Sequence, residues 1–166
     1  MYCQQITEFG KPLEGRSYET PEPTGTEVLL KVSACGVCHS DLHLWEGYFD
    51  LGEGVKLDLK DRGMTLPFTM GHEVVGEVIA LGPEAEGASI GDKRIVFPWI
   101  GCRECATCRA GNELLCQAPQ TVGTRYNGGY ADRVIAPHPK YLVPFDGIPA
   151  ELACTYACSG LTAYSA

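Results

Sequence analysis

No stretch of the 166 residues approaches the ~18 consecutive apolar residues that a membrane-spanning helix needs. The opening residues, MYCQQITEFGKPLEG, offer neither a basic start nor an apolar core, so no secretory leader is expected. Basic residues are scarce, with 13 Lys and Arg against 21 Asp and Glu, for a formal net charge of −8. Such a surface repels phosphate backbones, which removes nucleic acid from the expected partners. Internal repeats and low-complexity tracts are missing too. These absences lead to the expectation of a cytoplasmic protein without a membrane partner, long enough for one domain with its own core.

Cysteine, by contrast, is plentiful. There are nine, and four of them fall within fifteen residues: Cys102, Cys105, Cys108 and Cys116. An odd count and tight clustering argue against a disulfide framework, and in a reducing compartment the commoner use of such a cluster is metal binding. Glycine (20 residues) and proline (11 residues) are also frequent, and they punctuate a series of short apolar runs. Glu27 to Ala34, Val74 to Leu81, Lys93 to Pro98, Tyr130 to Ala136 and Tyr141 to Val143 read as strands, the third opening after the turn residues Gly91 and Asp92. Ser40 to Glu46 reads as a short helix. A second helix is expected from Pro149 onward, where a proline and an early glutamate suit a helix start. Asp50 to Thr65, polar with scattered glycines, reads as a long surface loop. The pattern is that of a mainly-β domain, a small barrel or sandwich with short helices.

Cys102-x-x-Cys105-x-x-Cys108-x₇-Cys116 places four thiolates on one polar loop. Two-residue gaps let successive sulfurs turn toward one centre, and the longer gap brings the chain back to close a tetrahedral zinc cage. Four protein ligands leave no open position, so such a site is structural, and its ligation energy becomes local folding energy. Four thiolates could also hold an iron–sulfur cluster, or remain free thiols, although free cysteines seldom cluster on an exposed polar loop.

A second constellation is dispersed: Cys38 in ACGVCHSDLH, His72 in GHE and Cys158 in ACSGLTAY. Two thiolates and an imidazole would give zinc three ligands and an open fourth position, but spacing alone does not select these three residues. The runs CGVCHSDLHLWEG, GHEVVGEV, GGYADRVIAP and CSGLTAYSA, in this order around the four-cysteine cluster, resemble the zinc-dependent medium-chain alcohol dehydrogenase family. The resemblance extends from about Val28 to Ala166.

That resemblance implies a GroES-like β-barrel with short helices and a structural-zinc lobe. It implies two Zn²⁺ per chain: Cys38, His72 and Cys158 as catalytic ligands, and Cys102, Cys105, Cys108 and Cys116 as the structural set. Cys154 lies one helical turn before Cys158, but the family's ligand directly precedes Ser-Gly, which selects Cys158. Cys3 and Cys35 are expected to be buried small hydrophobes. Asp41 matches the carboxylate that orients the metal-bound histidine. Glu73 matches a carboxylate behind the metal that can ligate it transiently. Ser40 matches the hydroxyl that takes the substrate's proton, and His43 the far end of the relay, a role suited to a side chain that titrates near neutrality. His39 matches a contact to the cofactor pyrophosphate, and Trp45 and Trp99 match the substrate pocket. The implied reaction is reversible oxidation of an alcohol to an aldehyde or ketone with NAD or NADP, in a homo-oligomer. Polyol dehydrogenases usually lack a cysteine at the place of Cys158, and quinone reductases lack the zinc ligands, so both relatives fit less well.

The family's nucleotide-binding domain opens with a glycine-rich turn between strand and helix. No G-x-G-x-x-G occurs here, and Gly123 to Gly129 has the wrong spacing. The expected organisation is therefore a GroES-like catalytic domain over 1–155, with its zinc lobe at 101–117. Residues 156–166 are expected to begin the helix that leads toward a nucleotide-binding domain not contained in these residues. Such a chain alone should bind zinc without turning over alcohol. The rival reading is a non-catalytic zinc module for assembly, or an inactive fragment.

Overall fold

The computed structural model describes all 166 residues, Met1–Ala166. Its centre is a five-stranded antiparallel sheet. β3 (Val28–Gly36) and β6 (Glu73–Leu81), nine residues each, form its long ladder. β8 (Arg133–Ala136) flanks β3, while β7 (Lys93–Val96) and β9 (Leu142–Pro144) continue the sheet beyond β6, in the order β8-β3-β6-β7-β9. Two short hairpins complete the β structure: β1 (Tyr2–Gln5) with β2 (Glu14–Ser17), and β4 (Tyr48–Asp50) with β5 (Lys56–Asp58). The helices are short: α1 (His39–Glu46), α2 (Ala106–Arg109), α3 (Ala150–Ala153) and α4 (Ser159–Ser165).

The five apolar runs each hold a strand of this sheet, and β-branched residues supply its core. Val28, Leu30, Val74, Val78, Val96, Val122 and Val134 pack as one buried cluster with Ile100 and Tyr141. Shape and χ1 stiffness suit valine to this pleated surface. A second cluster, around Ile6, Leu44 and Phe68, joins the N-terminal ribbon to α1, and a third, around Val75, Ile95 and Ala157, seats α3.

Two expectations need correction. The polar stretch Asp50 to Thr65 is not a plain loop. Its beginning folds back as the β4–β5 hairpin, and Leu59 and Met64 pack into the second cluster. Gly52 and Gly54 carry positive φ at the hairpin tip (86° and 79°), which glycine accepts without a Cβ penalty, and Glu53 between them stands at φ 50°. The segment after Pro149 is not one helix. α3 ends at Ala153, a 3₁₀ turn runs over Cys154–Ala157, and Cys158 leaves helical geometry at φ −139° and ψ −76°. Residues 156 and 157 therefore complete the 3₁₀ turn and α4 starts at Ser159. The break lets Cys158 turn inward, which a continuous helix would not.

The lobe at 101–117 has little apolar content of its own, with Leu114 and Leu115 exposed. One carboxylate ties it to the sheet. Glu113 Oε2 accepts from the Gly101 N–H at 3.0 Å and from the buried Tyr141 hydroxyl at 2.6 Å, while Lys140 Nζ donates to Oε1. Partial burial pushes this carboxyl upward, but Lys140, Tyr141 and the Gly101 N–H outweigh it and hold it at about 2. With the folded value depressed, the contribution is complete above the unfolded value near ~4.3 and fades as pH falls toward the folded one. At pH 7, Glu113→Ala should therefore show the whole loss, about 1–3 kcal/mol from the stranded Tyr141 hydroxyl and Gly101 N–H, read as a lowered denaturation midpoint.

Candidate metal centres

Each group of sulfurs converges as a metal site requires. In the lobe, the Sγ atoms of Cys102 and Cys108 lie 3.9 Å apart, as do those of Cys105 and Cys116. Ligands at about 2.3 Å from a tetrahedral zinc stand about 3.8 Å from one another, whereas a disulfide would bring sulfurs to about 2.05 Å. Backbone amides also point at the sulfurs. The N–H groups of Cys105 and Cys108 reach Cys102 Sγ and Cys105 Sγ at 3.4 Å, and those of Cys102 and Ala118 reach Cys116 Sγ at 3.3 and 3.4 Å. Donors aimed this way stabilise thiolates, and the amides of Glu104 and Cys105 pull the Cys102 thiol down to about 6. The chain turns sharply enough to do this because Arg103 adopts φ +67° between the first two ligands.

The second centre is assembled from three distant segments. Cys38 caps α1 at the end of β3, His72 precedes β6, and Cys158 occupies the break before α4. Their ligand atoms lie within 4.8 Å of one another, with 3.6 Å between the two sulfurs. No fourth Cys, His, Asp or Glu joins this group, so one tetrahedral vertex is free of protein. His72 is completely buried, and its Nε2 has no hydrogen-bond partner. An orphaned buried imidazole nitrogen facing two sulfurs is what a metal would satisfy. Both donor sets thus fit zinc.

The surrounding residues fix this geometry. Asp41, only 2% exposed, faces His72 Nδ1 at 3.4 Å through Oδ1, and the same oxygen accepts from the Gly71 N–H at 3.3 Å. Its Oδ2 accepts from the Cys38 N–H at 2.9 Å. One carboxylate therefore holds two ligands in place. Burial opposes a proton on His72, but Asp41 outweighs it and raises the imidazole above its ordinary range. Burial and the neighbouring Cys38 push the Cys158 thiol up to about 12, so the two sulfurs do not both ionise readily without a cation between them.

The remaining expected site residues fall as follows. Ser40 Oγ lies 3.9 Å from Cys38 Sγ. His43 follows one turn along α1, its ring centroid 4.9 Å from both His39 and Phe49, and its Nδ1 is buried without a hydrogen bond, 3.7 Å from Glu46 Oε2. His39 is exposed at the first residue of α1. Glu73, 1% exposed, accepts from the Ser159 N–H at 2.7 Å. Trp99 meets His72 edge-on at 6.0 Å and donates to the Ala157 carbonyl. Trp45 instead packs against the Ile6–Leu44–Phe68 cluster and donates to the Lys11 carbonyl at 2.6 Å. Cys154 stands outside the ligand group, with its thiol donating to the Glu151 carbonyl. Cys3 is buried and Cys35 half-buried.

One site residue was not singled out from the sequence. Gly71 carries φ +96°, and a Cβ there would stand 2.6 Å from Tyr130 Cδ1 and 2.8 Å from Cys35 Sγ. It turns the chain so that His72 enters the core. Its place directly before the histidine in GHE was the available signal.

Residues 24–149 match the alcohol dehydrogenase GroES-like domain family. The chain belongs to that family. Within it, the zinc-dependent medium-chain dehydrogenases are its relatives. The NAD-dependent alcohol dehydrogenase of Sulfurisphaera tokodaii is 42% identical over 166 residues, all of this chain and 47% of the relative. An alcohol dehydrogenase of Geobacillus stearothermophilus is 34% identical over 168 residues, covering 46% of its length. The crystal structure of an NAD-dependent alcohol dehydrogenase superposes with a TM-score of 0.84 at 28% identity, over 99% of this chain and 46% of that one. A cobalt- and zinc-bound thermostable alcohol dehydrogenase from Pyrobaculum aerophilum gives 0.80, also at 28% identity, over 99% and 46%. The chain spans about half the length of the relatives it matches. As in this GroES-like family, the domain is mainly β with short helices, and no helix is long and apolar enough to cross a membrane.

The two centres should respond differently to metal removal. The lobe has no core of its own, so stripping its zinc should unfold residues 101–117 while the β3–β6 ladder stays intact. Amide hydrogen exchange of the chelated chain should show fast exchange confined to the lobe. Equal loss of protection across the sheet, or none in the lobe, would contradict this.

Proposed function

We propose that this chain is the catalytic-domain portion of a zinc-dependent alcohol dehydrogenase, which interconverts an alcohol with its aldehyde or ketone using NAD. The observation that carries the reading is the three-ligand centre with a protein-free fourth vertex beside the Ser40 hydroxyl. Relatives described as NAD-dependent support the choice of cofactor over NADP.

Cys38, His72 and Cys158 would hold the zinc, and zinc there would supply the Lewis acidity that acidifies a substrate hydroxyl. Asp41 keeps the His72 ring oriented and the Cys38 backbone fixed, so the site is formed before substrate arrives. Ser40, two residues from a ligand, holds the substrate oxygen by a hydrogen bond and takes its proton. His43, three residues on and therefore on the same helical face, is the group that passes the proton to solvent. Phe49 and Glu46 restrict its ring, which gives that route a fixed exit. His39, exposed at the head of α1, suits a contact to the cofactor pyrophosphate. Trp99 forms an apolar wall next to His72 and limits water at the reacting carbon. Domain limits near residues 1–155, and assembly as a homo-oligomer, belong to the same reading.

A zinc module serving assembly alone would need neither an open vertex nor a hydroxyl beside it. Ser40→Ala in the protein that carries this chain separates the two readings. Turnover of primary and secondary alcohols with NAD should fall about 10²- to 10⁴-fold. Native mass spectrometry should still find two zinc ions. Unchanged turnover, or loss of a zinc ion with the hydroxyl, would refute the assignment.

A further inference from the structure

The segments that deliver the second metal centre are far apart in sequence, yet one buried carboxylate lies where all three meet. Glu73 directly follows the ligand His72 and is 1% exposed. Its Oε1 accepts from the N–H of Ser159, the residue after the ligand Cys158, at 2.7 Å. Its Oε2 lies over Gly36, its register partner on β3 and two residues before the ligand Cys38. A Cβ at residue 36 would stand 2.2 Å from that oxygen and 3.1 Å from Glu73 Cβ, so the carboxylate occupies the space a side chain there would take.

The backbone explains what the contact does. At Cys158 the chain leaves the helical track, at φ −139° and ψ −76°, between the 3₁₀ turn and α4. Such a break frees the first amides of α4, and no side chain at Cys158 caps them. Glu73 supplies the missing acceptor from across the sheet. Without it the Ser159 amide loses its acceptor, and the turn that carries Cys158 toward Cys38 and His72 loses its tie to the sheet.

We propose that Glu73 is a positioning residue that clamps Cys158 into the metal centre through the Ser159 N–H, with Gly36 providing the space for the clamp. The proposal rests on the metal-centre reading given above. It assigns Glu73 a geometric role, that of a hydrogen-bond acceptor, in place of one as a metal ligand or a source of charge. Glutamine keeps the size and the acceptor oxygen, whereas alanine removes both.

The test measures zinc release from the full chain to a coloured chelator, with Co²⁺-substituted protein as a second readout of thiolate–metal absorption. The parent chain should hold two metals. Glu73→Ala should release one of them about 10- to 100-fold faster, the range expected for outer partners of metal ligands, with the lobe metal unchanged. Gly36→Ala should behave like Glu73→Ala, and Glu73→Gln should stay close to the parent. Release from Glu73→Gln as fast as from Glu73→Ala would overturn the clamp in favour of charge or direct ligation. Parent-like release from all three variants would overturn it as well. Amide hydrogen-exchange protection of the β3–β6 ladder reports that each variant is folded, and if Glu73→Ala does not fold, the contrast between Gly36→Ala and Glu73→Gln decides. A parent chain holding one metal would instead overturn the metal-centre reading, a result distinct from any failure of the clamp.

Discussion

The pairing of β3 with β6 is the interaction on which the rest of the molecule depends. It is the longest ladder, it carries the buried valines of the main cluster, and it ends where the chemistry begins. Its last register pair, Gly36 with Glu73, sets the separation of the segments that lead into Cys38 and out of His72. Register in a half-buried sheet is strongly specified, because a one-residue slip would turn the buried face outward. The apolar pattern of these strands therefore fixes two metal ligands that lie outside the pattern. The two irregularities in the ladder, at Leu29/Leu30 and at Val32/Ala34, bend β3 while leaving this final pair in place.

Around that ladder end the protein concentrates buried groups of one sign. Asp41 is 2% exposed, and two sulfurs sit 3.6 Å apart. Hydrogen bonds from the Cys38 and Gly71 amides offset part of the cost, but amides alone do not balance these incipient anions. A divalent cation does. The same electrostatics explain why the thiol of Cys158 is pushed up while that of Cys38 is lowered. Burial opposes ionisation of both, but Cys38 has the Ser40 amide and His72 to hold its charge, and Cys158 has Cys38 as a neighbour.

Much of this was readable in the residues, and the exceptions have physical causes. The strands of the central sheet declare themselves because β3 and β6 carry apolar runs between turn-formers, Val28 to Leu30 with Val32 in one and Val74, Val75, Val78 and Ile79 in the other. The β4–β5 hairpin does not, because its strands are three residues long, too short for an alternating pattern to register. β2 is Glu-Gly-Arg-Ser, fully exposed, and its conformation comes from pairing with β1 rather than from propensity. The helix break at Cys158 is invisible for a related reason. Ser159 and Gly160 weaken the helix locally without marking where it breaks, and the contact that meets the freed Ser159 amide comes from Glu73, eighty-five positions before Cys158 in the chain. The lobe ligands were legible from spacing alone since all four lie on one loop, whereas Cys38, His72 and Cys158 needed the surrounding motifs of the family. Trp45, which matches a pocket position by resemblance, is half-buried against the N-terminal cluster.

The two centres also differ in what supports them. In the lobe, a closed loop with its own amides aimed at the sulfurs makes the site locally self-sufficient, and its Glu113 reaches out to Tyr141 and Lys140 to attach it to the rest of the domain. The second centre has no such local closure. Each ligand enters from a different segment, so its geometry is a property of the whole sheet and of two buried carboxylates. A local site can change in sequence without disturbing the core, but a dispersed one is bound to it. That coupling has a chemical consequence. An open vertex can remain open only if the three occupied ones resist rearrangement, since flexible ligands would let a fourth protein group, such as Glu73 or Cys154, swing in and close the site. Holding Glu73 on the Ser159 amide and Cys154 on the Glu151 carbonyl removes both competitors, and this keeps the vertex available to a substrate.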